Sequence, residues 1–189
     1  MKLILIRHGR TPANERHAYL GRTDEPLTEA AFSLINEKRD SGFYPDPAGF
    51  KIYTSGMRRT EETLRAVYGV IPHGVIPAMR ETDFGDFECR TYEELKDNPA
   101  YIEWISDSLN AAPPGGESFP AMKERVMAAV KELLNRNEDA IVFTHGGPIT
   151  ASMLALFPDA GKNFYEWNPR HGGGYVITSE NGNFEHTEL

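Results

Sequence analysis

The chain has 189 residues and one cysteine, Cys89, so it cannot close an internal disulfide, which fits a reducing, cytoplasmic setting. No apolar run approaches the about 18 residues that a membrane span requires. The short apolar stretch in MKLILIRHGR ends in Arg and His, so it reads as a buried strand rather than a signal peptide. Basic residues are scarce: 20 Lys and Arg against 28 Asp and Glu leave a net charge of −8, and no basic stripe appears. That balance argues against nucleic acid as a partner. The six histidines (8, 17, 73, 145, 171 and 186) show no H-x-x-x-H or H-E-x-x-H spacing, and no C-x-x-C exists, so no metal or other cofactor is expected. G-x-G-x-x-G is missing after the first apolar run, which sets aside a dinucleotide-binding domain. Repeats, low-complexity tracts and linkers are also missing, so one domain over 1–189 is expected.

What is present alternates. KLILIR (2–7), KIYTS (51–55), AIVFTH (140–145) and GYVITS (174–179) read as strands covered on both faces, with a weaker fifth at VIPAM (75–79). Between them lie helical patterns. Thr28 caps one that runs to about Arg39, with Ala31, Leu34 and Ile35 facing inward. A second covers about 58–68, with Thr60, Leu64 and Val67 on one side. Thr91 and Glu94 have capping-box spacing ahead of a helix that Pro99 interrupts. Met122, Val126, Ala129, Val130 and Leu133 form one stripe over 119–136. A last helix covers about 148–157. This order predicts a three-layer α/β/α sandwich with a mainly parallel central sheet, which binds ligands beyond the carboxyl ends of its strands.

Those ends carry unusual residues. Arg7-His8-Gly9 follows the first strand, with Thr11 and Asn14 close behind. Gly9 is expected to let the backbone pass near a bound anion, and Arg7 is a permanent planar cation suited to phosphate. His145-Gly146-Gly147 follows another strand and opens a helix, whose N-terminus favours anions. Ser55-Gly56-Met57-Arg58-Arg59-Thr60 follows a third strand, and either arginine could face the site. Glu81 and Asp83, in RETDFG, are the acidic candidates.

These blocks resemble the histidine phosphatase superfamily, also called phosphoglycerate mutase-like. LIRHGRTPAN is similar to its L-x-R-H-G-x-T-x-x-N signature, and GRTDEPLTEAA to the G-x-x-D-x-P-L-T stretch that follows. YTSGMRRTEET, RETDFGDFE and FTHGG resemble further blocks in family order over residues 1–147. The resemblance implies that His8 is the phosphorylated nucleophile and that Arg7, Arg59 and His145 complete a phosphate pocket. It implies Glu81 as the proton donor, with Thr11, Asn14 and Gly146 as further substrate contacts. It selects Arg59 over Arg58 and Glu81 over Asp83. Gly56, Met57, Glu62, Phe87 and Cys89 depart from the family's usual Pro, Leu, Gln, Trp and Gly. Pro113-Pro114-Gly115-Gly116-Glu117-Ser118, with FGDFE and the compact length, resembles the α-ribazole phosphatase branch, which serves cobalamin synthesis.

The implied chemistry is coherent. A neutral imidazole suits attack on a dianionic ester, and nearby arginines hold the imidazole neutral and stabilise the moving charge. A covalent intermediate divides one hard displacement in two. Glu81 serves the leaving oxygen if phosphate and burial raise its pKa. A small-molecule phosphate ester is the expected partner. Tyr19, Arg22, Tyr92, Glu117 and Ser118 are candidates to touch its leaving group. The alternatives are a phosphoglycerate mutase on the same pocket and a non-catalytic phosphate-binding module. Monomer and homodimer both stay open.

Overall fold

Odd and even residues of the first strand go to opposite cores: Leu3 and Leu5 to one, Ile4 and Ile6 to the other. Ala140 and Val142 join the first core, Ile141 and Phe143 the second. This is the period-two geometry of a strand buried on both faces. The structure, a computed structural model, describes residues 1–180 and 182–189. Its strands are β1 (Lys2–Arg7), β2 (Lys51–Thr54), β3 (Gly74–Val75), β4 (Ala140–Thr144), β5 (Gly174–Glu180) and β6 (Asn183–Glu188). Its α-helices are α1 (Pro12–Glu15), α2 (Glu29–Asp40), α3 (Arg58–Tyr68), α4 (Tyr92–Leu95), α5 (Pro99–Ser106), α6 (Phe119–Arg136) and α7 (Gly146–Leu156).

The described strands form one six-stranded sheet in the order β3-β2-β4-β1-β5-β6. Pairing is parallel from β3 to β1 and antiparallel for β1·β5 and β5·β6. Helices α6 and α7 cover one face through Met122, Val126, Val130 and Ile149. Helices α2 and α3 cover the other through Ala31, Ile35, Leu64 and Val67. The three-layer architecture matches the expectation. Truncating one of these fully buried aliphatics costs about 2–5 kcal/mol.

Local signals set most boundaries. Thr28 and Ser118 cap α2 and α6 by accepting the backbone N–H of Ala31 and Ala121, each worth about 1 kcal/mol. Thr91 and Glu94 close a capping box on α4, and Pro99 opens α5 at its first turn. Some expectations need correction. The VIPAM strand shrinks to Gly74–Val75, because residues 77–79 turn into a 3-10 helix. Leu34 is 46% exposed, since Ala31 and Ile35 already fill the inner face of α2. The last helix begins at Gly146. Strand β6 was not anticipated: its burial pattern is largely exposed, so it has no apolar run to announce it. Helix α1 was too short to leave a period.

Phe87, Leu95, Tyr101 and Trp104 form a separate cluster contributed by the 84–104 excursion and α5. Among the described residues, no helix is long and apolar enough to cross a membrane.

Candidate active site

Strands β1 and β4 are parallel neighbours with Arg7 opposite Thr144, so the residues that follow them, His8 and His145, emerge side by side. The His8 N–H donates to the Thr144 carbonyl at 3.0 Å, and the two imidazole centroids lie 5.0 Å apart, edge to face. Both rings are buried, 4% and 0% exposed.

The hydrogen bonds assign a tautomer to each ring. His8 Nδ1 lies 2.6 Å from the Gly9 carbonyl oxygen; a carbonyl only accepts, so Nδ1 carries the proton and Nε2 keeps a lone pair. His145 Nδ1 accepts from Arg59 Nε at 3.2 Å, so its Nε2 holds the proton and donates to Ser55 Oγ at 2.8 Å. Ser55 then donates to Thr60 Oγ1 at 3.1 Å, because the Thr60 proton is spent on the Met57 carbonyl. Burial is the largest cause holding the His8 pKa well below its ordinary value of 6.5, followed by Arg59, His171 and Arg7. Burial thus contributes more than the arginines to keeping this imidazole neutral. Burial leads for His145 too, again lowering it well below 6.5, with Arg59 next.

Arg7 is anchored by donating from one terminal nitrogen to Asn168 Oδ1 at 3.0 Å and the Pro169 carbonyl at 2.8 Å. Its Nε is buried without a hydrogen-bond partner, and Arg7 and His8 both line a cavity of about 320 Å³. An unpaired buried guanidinium N–H costs about 1–3 kcal/mol and asks for an anionic acceptor. Gly146 brings the start of α7 against this group: a Cβ there would stand 2.6 Å from Asn168 Oδ1 and 3.2 Å from Arg7 Cζ.

Glu81 lines the same cavity. Its Oε2 accepts from Gly147 N–H at 3.1 Å and its Oε1 from Thr82 N–H at 3.0 Å. Gly147 makes that approach possible, because a Cβ would sit 2.2 Å from Oε1. Arg59 is fully buried behind this arrangement. Besides His145, its guanidinium donates to the Gly21 and Thr23 carbonyls at 2.6 and 2.9 Å.

The other candidates separate. Asn14 lines the cavity, while Thr11 caps α1 and trades hydrogen bonds with Asn14. Gly9 serves packing, not an anion: its N–H donates to Thr63 Oγ1 and a Cβ would meet Ile35 at 2.7 Å. Tyr19 and Glu117 line the cavity. Arg22 pairs with Asp83 instead, and Ser118 caps α6; with Tyr92 they stand outside the lining. Gly56 takes a φ of 78°, closed to the proline that the family places there. Cys89 keeps a φ of 59°, the conformation that explains the family's glycine.

Two residues escaped sequence reasoning. His171 stands 5.3 Å from His8 ring to ring and donates through Nδ1 to the His8 carbonyl at 3.0 Å; burial and Arg7 push its pKa down to about 3. Glu88 collects the N–H groups of Gly21, Arg22, Thr23 and Phe84, which fixes the carbonyls that receive Arg59. Neither carried a spacing that sets it apart from a surface polar residue. Among the described residues, no set of three or more His, Cys, Asp or Glu is placed to hold a metal ion.

Much of the remaining cavity wall is apolar and aromatic, including Tyr19, Phe84, Trp104, Ile105, Phe119 and Phe164, with Thr82, Ser108 and Glu117 as polar breaks in it. Among the described residues, Arg7 is the only Lys or Arg that lines it.

Comparison with known proteins agrees with this geometry. The adenosylcobalamin/alpha-ribazole phosphatase of Salmonella typhimurium is 28% identical over 179 residues, 91% of this chain and 87% of that protein. The 2,3-bisphosphoglycerate-dependent phosphoglycerate mutase of Parvibaculum lavamentivorans is 29% identical, covering 82% of this chain and 79% of that one. The crystal structure of the alpha-ribazole phosphatase from Shigella flexneri superposes with a TM-score of 0.88 at 26% identity, covering 100% of this chain and 96% of that one. The family model described as "Histidine phosphatase superfamily (branch 1)" matches residues 3–189. With its paired His-Gly corners at the ends of β1 and β4 and a phosphoglycerate mutase-like fold, the chain belongs to the histidine phosphatase superfamily.

Proposed function

We propose that this protein hydrolyses a small-molecule phosphate monoester through a phosphohistidine on His8, with α-ribazole 5′-phosphate as the best-supported substrate. One observation carries the proposal: His8, buried and neutral with Nε2 left unprotonated, and the cation Arg7 line one cavity.

In the first step the Nε2–P bond forms as the ester P–O bond breaks, and protonated Glu81 gives its proton to the departing oxygen. In the second, water attacks phosphorus while Glu81, now a carboxylate, takes its proton. The N–P bond breaks, inorganic phosphate leaves and His8 returns neutral. Arg7 and the start of α7 at Gly146 hold the equatorial oxygens, while Arg59, which with His145 stands outside the cavity lining, adds its positive field from behind. Asn14 contributes its amide. His145 orients Arg59 and fills the space beside the nucleophile. Thr11 acts through Asn14.

The apolar wall supports a flat, uncharged leaving group, as in the α-ribazole named for the relatives. The mutase reading draws on the phosphoglycerate mutase relative. A phosphoglycerate needs a cation for its carboxylate in addition to the one that takes its phosphate. The lining residues supply Arg7 alone, which favours hydrolysis of an ester of an uncharged alcohol. The free Cys89 supports a cytoplasmic setting, and the match over 3–189 supports one domain across the chain.

A panel of phosphate esters tests this, including α-ribazole 5′-phosphate, 3-phosphoglycerate and simple sugar phosphates. The expected result is release of inorganic phosphate with kcat/KM highest for α-ribazole 5′-phosphate, and loss of activity in His8→Ala. Conversion of 3-phosphoglycerate to its 2-isomer without release of phosphate would establish the mutase reading instead.

A further inference from the structure

We propose that Arg125, paired with Glu117, is the positioning residue for the general acid; this rests on the reading of Glu81 as that acid. The proposal comes from where the guanidinium spends its protons. Arg125 lies on α6. Its Nε donates to Glu117 Oε1 at 2.7 Å and one terminal nitrogen to Glu117 Oε2 at 2.6 Å, a two-point pair. The other three bonds go to main-chain carbonyls: Ala78 at 2.7 Å, Arg80 at 2.8 Å and Glu81 at 3.0 Å. A guanidinium has five N–H donors, and all five are used. None is left for a phosphate, so Arg125 acts through the chain it holds.

Residues 78–81 run out of the 3-10 turn at Pro77–Met79 and take no place in the sheet. Their N–H groups make only turn bonds, Met79 to Ile76 and Arg80 to Pro77, and the buried Met79 side chain and Arg80 Nε on the Ser55 carbonyl anchor one end. Thr144 Oγ1 donates to the Met79 carbonyl at 2.6 Å, and Arg125 takes the carbonyls on either side. Glu81 therefore presents its carboxyl to the cavity from a backbone clamped at positions 78, 79, 80 and 81. Glu117, which lines the cavity beside Glu81, sets the plane of the fork. The pair is partly buried, with side-chain exposures of 27% and 22%, so it is screened less than a surface pair. Lysine carries three tetrahedral donors on a point charge and cannot reproduce a planar fork spread over four groups.

A general acid matters most for poor leaving groups and least for activated ones. A displaced acid thus has a signature that a loosened fold lacks. The test compares kcat/KM for an alkyl phosphate and for dinitrophenyl phosphate in wild type, Glu81→Gln, Arg125→Gln and Arg125→Lys, with folding followed by thermal unfolding. The Lys variant keeps the charge and stem should the Gln variant not fold. Arg125 variants are expected to lose about 10²-fold on the alkyl ester, the scale of a misplacement of about 1 Å. On dinitrophenyl phosphate they should lose less than about threefold, since its leaving group needs no proton. Equal loss on both esters, or no loss on either, overturns the role of Arg125 while Glu81→Gln stays selective for the alkyl ester. If Glu81→Gln itself loses both equally, the acid assignment fails first.

Discussion

His8 Nδ1 points at the carbonyl oxygen of Gly9, the next residue, from 2.6 Å. The nucleophile is thus aimed by its own backbone, and its free Nε2 needs no base to expose it. The pKa of His8 lies well below 6.5 for reasons of burial first and Arg59, His171 and Arg7 next. The neutral form therefore persists as pH falls through 6.5. An ordinary imidazole would lose about tenfold in neutral fraction between pH 7 and 5.5. The expected kcat/KM, corrected for ionisation of the substrate, falls much less than that over the same range. A tenfold fall over that range would show an ordinary imidazole.

The same burial weakens the fold in acid. His8, His145 and His171 all have folded pKa values below 6.5, His171 at about 3. Below pH 6.5 the unfolded chain binds protons that the folded chain refuses, so the stability present above 6.5 is lost as pH falls. Each such imidazole contributes up to about 1.4 kcal/mol per pH unit in that window. Urea unfolding at intervals from pH 7 to 5 should show this slope, and His171→Gln should reduce it by roughly a third. A flat profile would mean that the imidazoles accept protons in the folded protein.

Gly147 carries a sharper prediction. A methyl group there would stand 2.2 Å from Glu81 Oε1 and 3.3 Å from Met122 Cε, so the carboxylate must move. Gly147→Ala is expected to cost about 10²-fold in kcat/KM on alkyl phosphates, the cost of misplacing a reacting group by about 1 Å. Activity on dinitrophenyl phosphate should change far less. Full activity on alkyl esters would place the acid elsewhere.

The fold was legible where a side chain announces its own environment. Leu3 to Ile6 and Ile141 to Phe143 are apolar without interruption, and both strands lie buried on two faces. Thr28 and Thr91 are capping residues by chemistry, and each accepts the backbone N–H expected of a cap, whereas Ser118, read as a leaving-group contact, caps α6 instead. The two His-Gly corners were legible because the motif marks the strand ends, and parallel pairing of β1 with β4 makes them meet. Legibility stopped where the partner is a backbone group far along the chain. Glu88 gathers N–H groups from residues 21–23, Arg125 holds carbonyls at 78–81, and His171 reaches the His8 carbonyl across 163 positions. A backbone acceptor leaves no mark on residue type. Gly9 misled for a related reason: the space it frees is taken by Ile35 of α2, not by an anion.

The most direct test is to locate the phosphoryl group during turnover. The enzyme is quenched in alkali, where phosphohistidine survives, and its peptides are sequenced by mass spectrometry, with ³¹P resonances distinguishing the two ring nitrogens. The result predicted is phosphate on Nε2 of His8 and none in the His8→Ala protein. Phosphate on another residue, or steady turnover by the His8→Ala protein, would contradict it.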